Sequence, residues 1–193
     1  MFSICVYCGA RAGNDPRHAE AARQLGRAIG ERGFRLVYGG GRAGLMGEVA
    51  DAALAAGGQV LGIIPRRLVA RELGHPGIQE LRVVDTMHDR KLQMAQAADA
   101  FVAMAGGIGT LEELFETWTW QQLGYHARPI GLLDTAGFYT PLQALLAHTR
   151  DAGFVEAETV ARLHVESDAT RLLDVLQAAA AASGVDRADF NPV

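Results

Sequence analysis

The segment Ala105-Gly106-Gly107-Ile108-Gly109-Thr110-Leu111-Glu112-Glu113 joins an apolar run at residues 100–104 to the start of a helical pattern. Glycines let a ligand approach backbone N–H groups closely, and the positive end of a following helix favours an anion there. A carboxylate a few residues further on could then stabilise positive charge developing on whatever the anion carries. A second glycine run, Gly39-Gly40-Gly41, likewise follows an apolar run and precedes a helical pattern. Arg90 and Lys91 fall in the first turns of a helix predicted over 87–98, where the helix dipole disfavours cations. They call for an anionic ligand or a carboxylate partner. A structural account competes for the acid: Thr110 as an N-cap with Glu113 three residues later reads as a capping box, which involves no chemistry. Capping leaves unexplained why two glycine runs and an arginine should share one sheet edge. Together they read as a pocket for a phosphorylated small molecule.

Two nucleotide motifs fit poorly. Gly39-x-Gly41-x-x-Gly44 matches the dinucleotide fingerprint formally, but that motif belongs on the first strand with an acid ending the next. Here the next strand ends Gly62-Ile63-Ile64-Pro65-Arg66-Arg67, with no acid to hold a ribose. The chain also has no G-x-x-x-x-G-K-[ST], which excludes a P-loop. No His, Cys or Asp set has metal spacing, and neither a metal nor a cofactor is expected.

The elements that must position these residues alternate. Strands are predicted at 3–8, 35–38, 59–64, 81–85, 100–104 and 129–133, with a further one at 160–165. Helices are predicted at 16–31, 44–56, 87–98, 109–124, 138–152 and 168–182; in the first, Ala19, Ala22, Leu25 and Ile29 form an apolar stripe. Regular alternation predicts one doubly wound, Rossmann-like α/β domain over 1–182, with a mostly parallel sheet of six or seven strands. Residues 183–193 read as a flexible tail. Ligands of such sheets bind at the carboxyl ends of the strands. In the helix at 109–124, Leu111, Phe115 and Trp118 share one face while Leu114, Trp120 and Leu123 point elsewhere. Burial on two sides follows, against the sheet and against a second copy, so a homodimer is expected with the pocket near its interface.

With 193 residues, 49% of them hydrophobic and 21% charged, the chain is sized for one core. A formal charge of -4 argues against a nucleic-acid surface. No leader-like start and no bilayer-length apolar run is visible, making the cytoplasm the expected location and a membrane partner unexpected. Cys5 and Cys8 form a C-x-x-C, but inside a strand residues three apart face opposite ways, so both read as core residues.

Ala105-Gly-Gly-Ile-Gly-Thr-Leu-Glu-Glu113, the stretch Thr117–Tyr139 and Met87-His-Asp-Arg-Lys91 resemble the LOG (Lonely guy) family. These are cytokinin riboside 5'-monophosphate phosphoribohydrolases, long labelled lysine decarboxylases. The resemblance runs from Cys5 to about residue 155. It implies a Rossmann-like dimer that hydrolyses the N-glycosidic bond of a nucleoside 5'-monophosphate, releasing free base and ribose 5-phosphate. It places the catalytic arginine and glutamate on Arg90 and Glu113. Substrate contacts are implied for Glu72, Met87, Arg90 and Lys91, and for the run Gly106, Gly107, Ile108, Gly109, Thr110, Leu111, Glu112 and Glu113. Thr119 and the loop Gly39, Gly40 and Gly41 complete the implied set. The family's signature proline is Ala105 here. Proline would fix φ at the loop entry, so alanine predicts a more mobile cradle with no donor lost. The decarboxylase label is tested by the sequence itself. A pyridoxal-phosphate enzyme needs a Schiff-base lysine, and the only lysine, Lys91, adjoins Arg90 in the phosphate–ribose region.

The implied chemistry passes through an oxocarbenium-like ribose. Glu113 would stabilise that charge or orient the attacking water, and Arg90 would grip ribose or phosphate oxygens or assist departure of the base. Three rivals stay open at this stage: a nucleotide-sensing module without catalysis, a dinucleotide-dependent enzyme, and a carrier related by fold only.

Overall fold

The computed structural model describes residues 1–69 and 74–183. Its strands are β1 (Ser3–Tyr7), β2 (Arg35–Tyr38), β3 (Gln59–Pro65), β4 (Glu80–Val84), β5 (Ala100–Ala103), β6 (Ile130–Leu133) and β7 (Leu163–Glu166). Its helices are α1 (Pro16–Glu31), α2 (Leu45–Ala55), α3 (Met87–Gln96), α4 (Ile108–Gln122), α5 (Thr140–Asp151), α6 (Ala157–Ala161) and α7 (Ala169–Ser183). All seven strands join one sheet in the order β4-β3-β2-β1-β5-β6-β7, and every pairing is parallel. The predicted fold class therefore holds, at the upper strand count. Helix α6 was not anticipated. Of the tail expected at 183–193, only Ser183 is described, as the last residue of α7.

Parallel strands are covered on both faces, which is why the central ones are apolar throughout rather than alternating. β1, β5 and β6 are buried along their whole length. On one face Ile4, Val6, Leu25, Ile29 and Val49 pack with the α7 leucines Leu172 and Leu176. On the other, Cys5, Tyr7, Phe101, Leu114 and Trp118 pack together. Cys5 and Cys8 thus lie on opposite faces, both buried and both free, as two core residues should. Burial raises each thiol well above its ordinary pKa. Among the described residues no helix is long and apolar enough to cross a membrane.

The strand order fixes the position of the site. From β1 the chain winds outward through β2, β3 and β4, then returns to place β5 on the other side of β1. The loops after β1 and β5 consequently part in opposite directions. Such a reversal opens a crevice at the carboxyl ends of the two strands.

Candidate active site in the crevice between β1 and β5

Backbone hydrogen bonds hold the crevice open in a defined shape. The Gly9 N–H donates to the Ala105 carbonyl at 3.0 Å, and the Leu45 N–H donates to the Gly9 carbonyl at 3.0 Å. The turn after β1 is thereby fastened both to the entry of the β5–α4 loop and to the start of α2. The cavity measures about 840 Å3, within the range that encloses a nucleotide-sized ligand. Its walls come from the turn after β1, the loop and first turns of α4, Arg90 and Met87 of α3, Leu45 and Met46 of α2, and Leu68. His18 and Phe138 close one side, their rings 5.7 Å apart and edge to face.

Helix α4 begins three residues before the capping-box reading requires. Its N-cap is Gly107, which offers no side-chain cap, and its first closing bond runs from the Leu111 N–H to the Gly107 carbonyl at 3.2 Å. Thr110 is therefore the third helical residue and not the cap. Its hydroxyl folds back over Gly106, where an added Cβ would lie 2.1 Å from Thr110 Oγ1. Glu113 sits in the second turn, too deep to complete a box. The structural account of this acid is lost, because the helix starts at Ile108. What remains at the head of α4 is a bare helix end facing the cavity, the arrangement that attracts anions. By contrast, α1 and α3 are capped by Asp15 and Thr86.

Glu113 is 9% exposed and Arg90 5%, and both line the cavity. Arg90 Nη2 donates to the Gly39 carbonyl at 3.3 Å, and Nη1 lies 3.8 Å from Met87 Sδ. The two charges converge on the crevice floor. Beyond the burial that dominates, Glu113 pushes the Cys8 thiol further up and Arg90 opposes it.

Of the predicted positions, Met87, Arg90, Gly106, Gly107, Ile108, Gly109, Thr110, Glu112 and Glu113 share the cavity wall. Others lie apart from it. Gly39, Gly40 and Gly41 sit behind Arg90, with Gly41 bridged to Gly74 and the Gly40 carbonyl accepting from the His75 N–H at 2.9 Å. Leu111 is half-buried against the core, and Thr119 is exposed further along α4. Lys91 pairs with Glu112 and Glu116 instead of facing the cavity. Glu72 falls outside the described residues. Sequence reasoning missed the wall from Gly9 to Asn14, as well as His18 and Phe138. A signal was present: Gly9, Gly13, Asn14, Asp15 and Pro16 crowd the turn after the first strand, where doubly wound sheets place ligand loops.

Among the described residues no group of three or more His, Cys, Asp or Glu is placed to hold a metal ion.

Comparison with known proteins adds independent findings. Residues 46–176 match the family model described as "Possible lysine decarboxylase". The cytokinin riboside 5'-monophosphate phosphoribohydrolase LOG of Oryza sativa subsp. japonica is 46% identical over 170 residues, 88% of this chain and 70% of that protein. LOG7 of Arabidopsis thaliana is 49% identical over 152 residues, 79% of this chain and 70% of that one. The enzyme of the same name from Rhodococcoides fascians is 46% identical over 167 residues, covering 86% and 84%. Among solved structures, the molybdenum cofactor binding protein of Rippkaea orientalis superposes with a TM-score of 0.70 at 21% identity, covering 92% of this chain and 96% of that one. At that identity the likeness concerns the fold alone.

Proposed function

The chain belongs to the LOG family, and from that membership together with the crevice geometry we propose that it hydrolyses the N-glycosidic bond of a purine nucleoside 5'-monophosphate to free base and ribose 5-phosphate. Cytokinin riboside 5'-monophosphates and AMP are the substrates to test. One observation carries the reading: a buried carboxylate, Glu113, stands one turn behind an uncapped helix end in a cavity it shares with Arg90.

The roles follow from the chemistry. The 5'-phosphate rests on the N–H groups at the head of α4, where Gly107 and Gly109 carry no side chain to keep it away. The ribose then lies over the second turn, within reach of Glu113. As the bond to the base lengthens, positive charge gathers at the anomeric carbon; the Glu113 carboxylate stabilises it and orients the attacking water. Arg90, held against the Gly39 carbonyl, grips ribose or phosphate oxygens or assists departure of the base. No step calls on a metal or cofactor.

The protein acts, in this reading, as a homodimer with the cavity near the interface. The side of α4 away from the cavity supports it: Phe115 and, at the end of the helix, Leu123 stand 37% and 63% exposed in the single chain. Light scattering on the purified protein checks the assembly, and Leu123→Asp should shift it towards monomer. Chromatography of the products from AMP and from isopentenyl-adenosine monophosphate tests the reaction and ranks the bases. Glu113→Gln should stay folded and bind AMP, yet lose on the order of 10²–10⁴-fold in base release. Unimpaired turnover by that variant would remove Glu113 from the mechanism.

A further inference from the structure

His18, the third residue of α1, lines the cavity with a ring whose hydrogen-bonding capacity the protein itself does not use. Packing fixes where the ring lies. It stands edge to face with Phe138, and a Cβ added at Gly13 would lie 3.4 Å from its Cδ2. Nδ1 is buried and has no hydrogen-bond partner among the described residues. An N–H sealed from water without an acceptor is the costlier kind of orphan, so the ring proton belongs on Nε2. That leaves the Nε2 edge of the ring to meet a ligand.

The topology says which end of a ligand it meets. In the sheet, β5 lies between β1 and β6, so the segments that follow these two strands flank the head of α4. Arg11 and His18 follow β1, and Phe138 follows β6. The flanking is close: a Cβ added at Gly9 would lie 3.3 Å from the Gly106 Cα. The apolar wall formed by Leu45, Met46, Leu68 and Met87 comes instead from the segments after β2, β3 and β4. An apolar wall suits the face of a purine, whereas an unused donor beside a bare helix end suits a phosphate. From this geometry we infer that His18 is a further substrate-binding residue, its Nε2–H donating to the 5'-phosphate seated at the head of α4. The inference rests on the function proposed above and deepens it.

Calorimetric titration of AMP and of ribose 5-phosphate into wild type, His18→Phe, His18→Asn and His18→Gln tests this, with melting temperatures and base-release kinetics alongside. Phenylalanine keeps a ring against Phe138 and removes both nitrogens. The amide nitrogen of glutamine reaches the place of Nε2, and that of asparagine the place of Nδ1. A hydrogen bond to a charged group is worth about tenfold or more in affinity, so His18→Phe should weaken both ligands by about that factor. KM for AMP should rise in step with kcat little changed, because the contact holds ground state and transition state alike. The melting temperature should hold or rise, since a buried nitrogen without a partner is gone. His18→Gln should bind nearly as wild type does, and His18→Asn should fall with His18→Phe. Wild-type affinity in His18→Phe removes His18 from the site. A loss confined to AMP, with ribose 5-phosphate unmoved, puts the ring beside the base and overturns the inference too. So does rescue by asparagine and not glutamine, which would make Nδ1 the contact. Wild type that binds both ligands but releases no base overturns the proposed activity and leaves the Kd comparison to judge His18. Wild type that binds neither overturns both.

Discussion

At Gly39 an added methyl group would land 2.0 Å from the Arg90 guanidinium, whereas at Gly107 or Gly109 it would meet no atom within 4 Å. The two glycine runs read alike in sequence, yet the first is glycine for the sake of the protein's own packing. Gly39 clears room for Arg90, and Gly40 takes φ +77°, where L side chains are strained. In the second run Gly106 is packed under Thr110, but Gly107 and Gly109 have room for side chains they do not carry. Gly107, at φ -90°, has a backbone open to any residue. Space left empty beside an uncapped helix end is what a ligand's phosphate requires.

This contrast can be broken by substitution, and the largest effect belongs to the first run. Gly39→Ala should cost about 2–4 kcal/mol, because a buried cation must move or the strand end must shift. Denaturant unfolding would register it, and base release should vanish with Arg90 displaced. A Gly39→Ala protein of undiminished stability would erase the distinction. Next comes Gly109→Ala, for which stability and binding should part company. Alanine inside a helix gains roughly 0.5 kcal/mol over glycine where nothing obstructs it, yet its methyl intrudes on the phosphate seat. AMP affinity should fall about tenfold while the melting temperature holds or rises.

The smallest effect on ligand binding concerns the far end of α4 and serves as a control. The Arg128 N–H donates to His126 Nδ1 at 3.1 Å, so the ring proton sits on Nε2, which donates to the Thr117 carbonyl at 3.0 Å. Burial lowers this imidazole to about 4, and nearby Arg128 adds to the shift. Between pH 6.5 and 4 the unfolded chain binds the proton that the folded chain refuses, so stability falls on acidification, by up to about 3 kcal/mol. Thermal melts across that window should show the loss, and His126→Gln should flatten it. AMP affinity per folded molecule should not follow His126.

Much of the fold was legible because helix and strand periods differ and buried parallel strands read as continuous apolar runs. Arg90 was legible too: a cation in a helix's first turns is out of place unless something anionic awaits it. The start of α4 was misread because Thr110 and Glu113 satisfy a local rule. The helix instead starts at Ile108 with Gly107 as its N-cap, which leaves both residues inside it. The wall from Gly9 to Asn14 was passed over because it carries little chemistry of its own. Its importance comes from β1 lying beside β5, a long-range pairing that no local pattern displays. Lys91 shows the converse, since its partners one helix away, Glu112 and Glu116, decide which way its side chain turns.

The buried Cys8 thiol on the crevice floor gives the molecule a built-in clock. A thiol kept protonated and shielded cannot react with an aromatic disulfide reagent until the surrounding segment breathes open. With the other buried thiol removed by Cys5→Ala, the colour released by such a reagent counts openings of this region. A nucleotide seated above it should lengthen the interval between them.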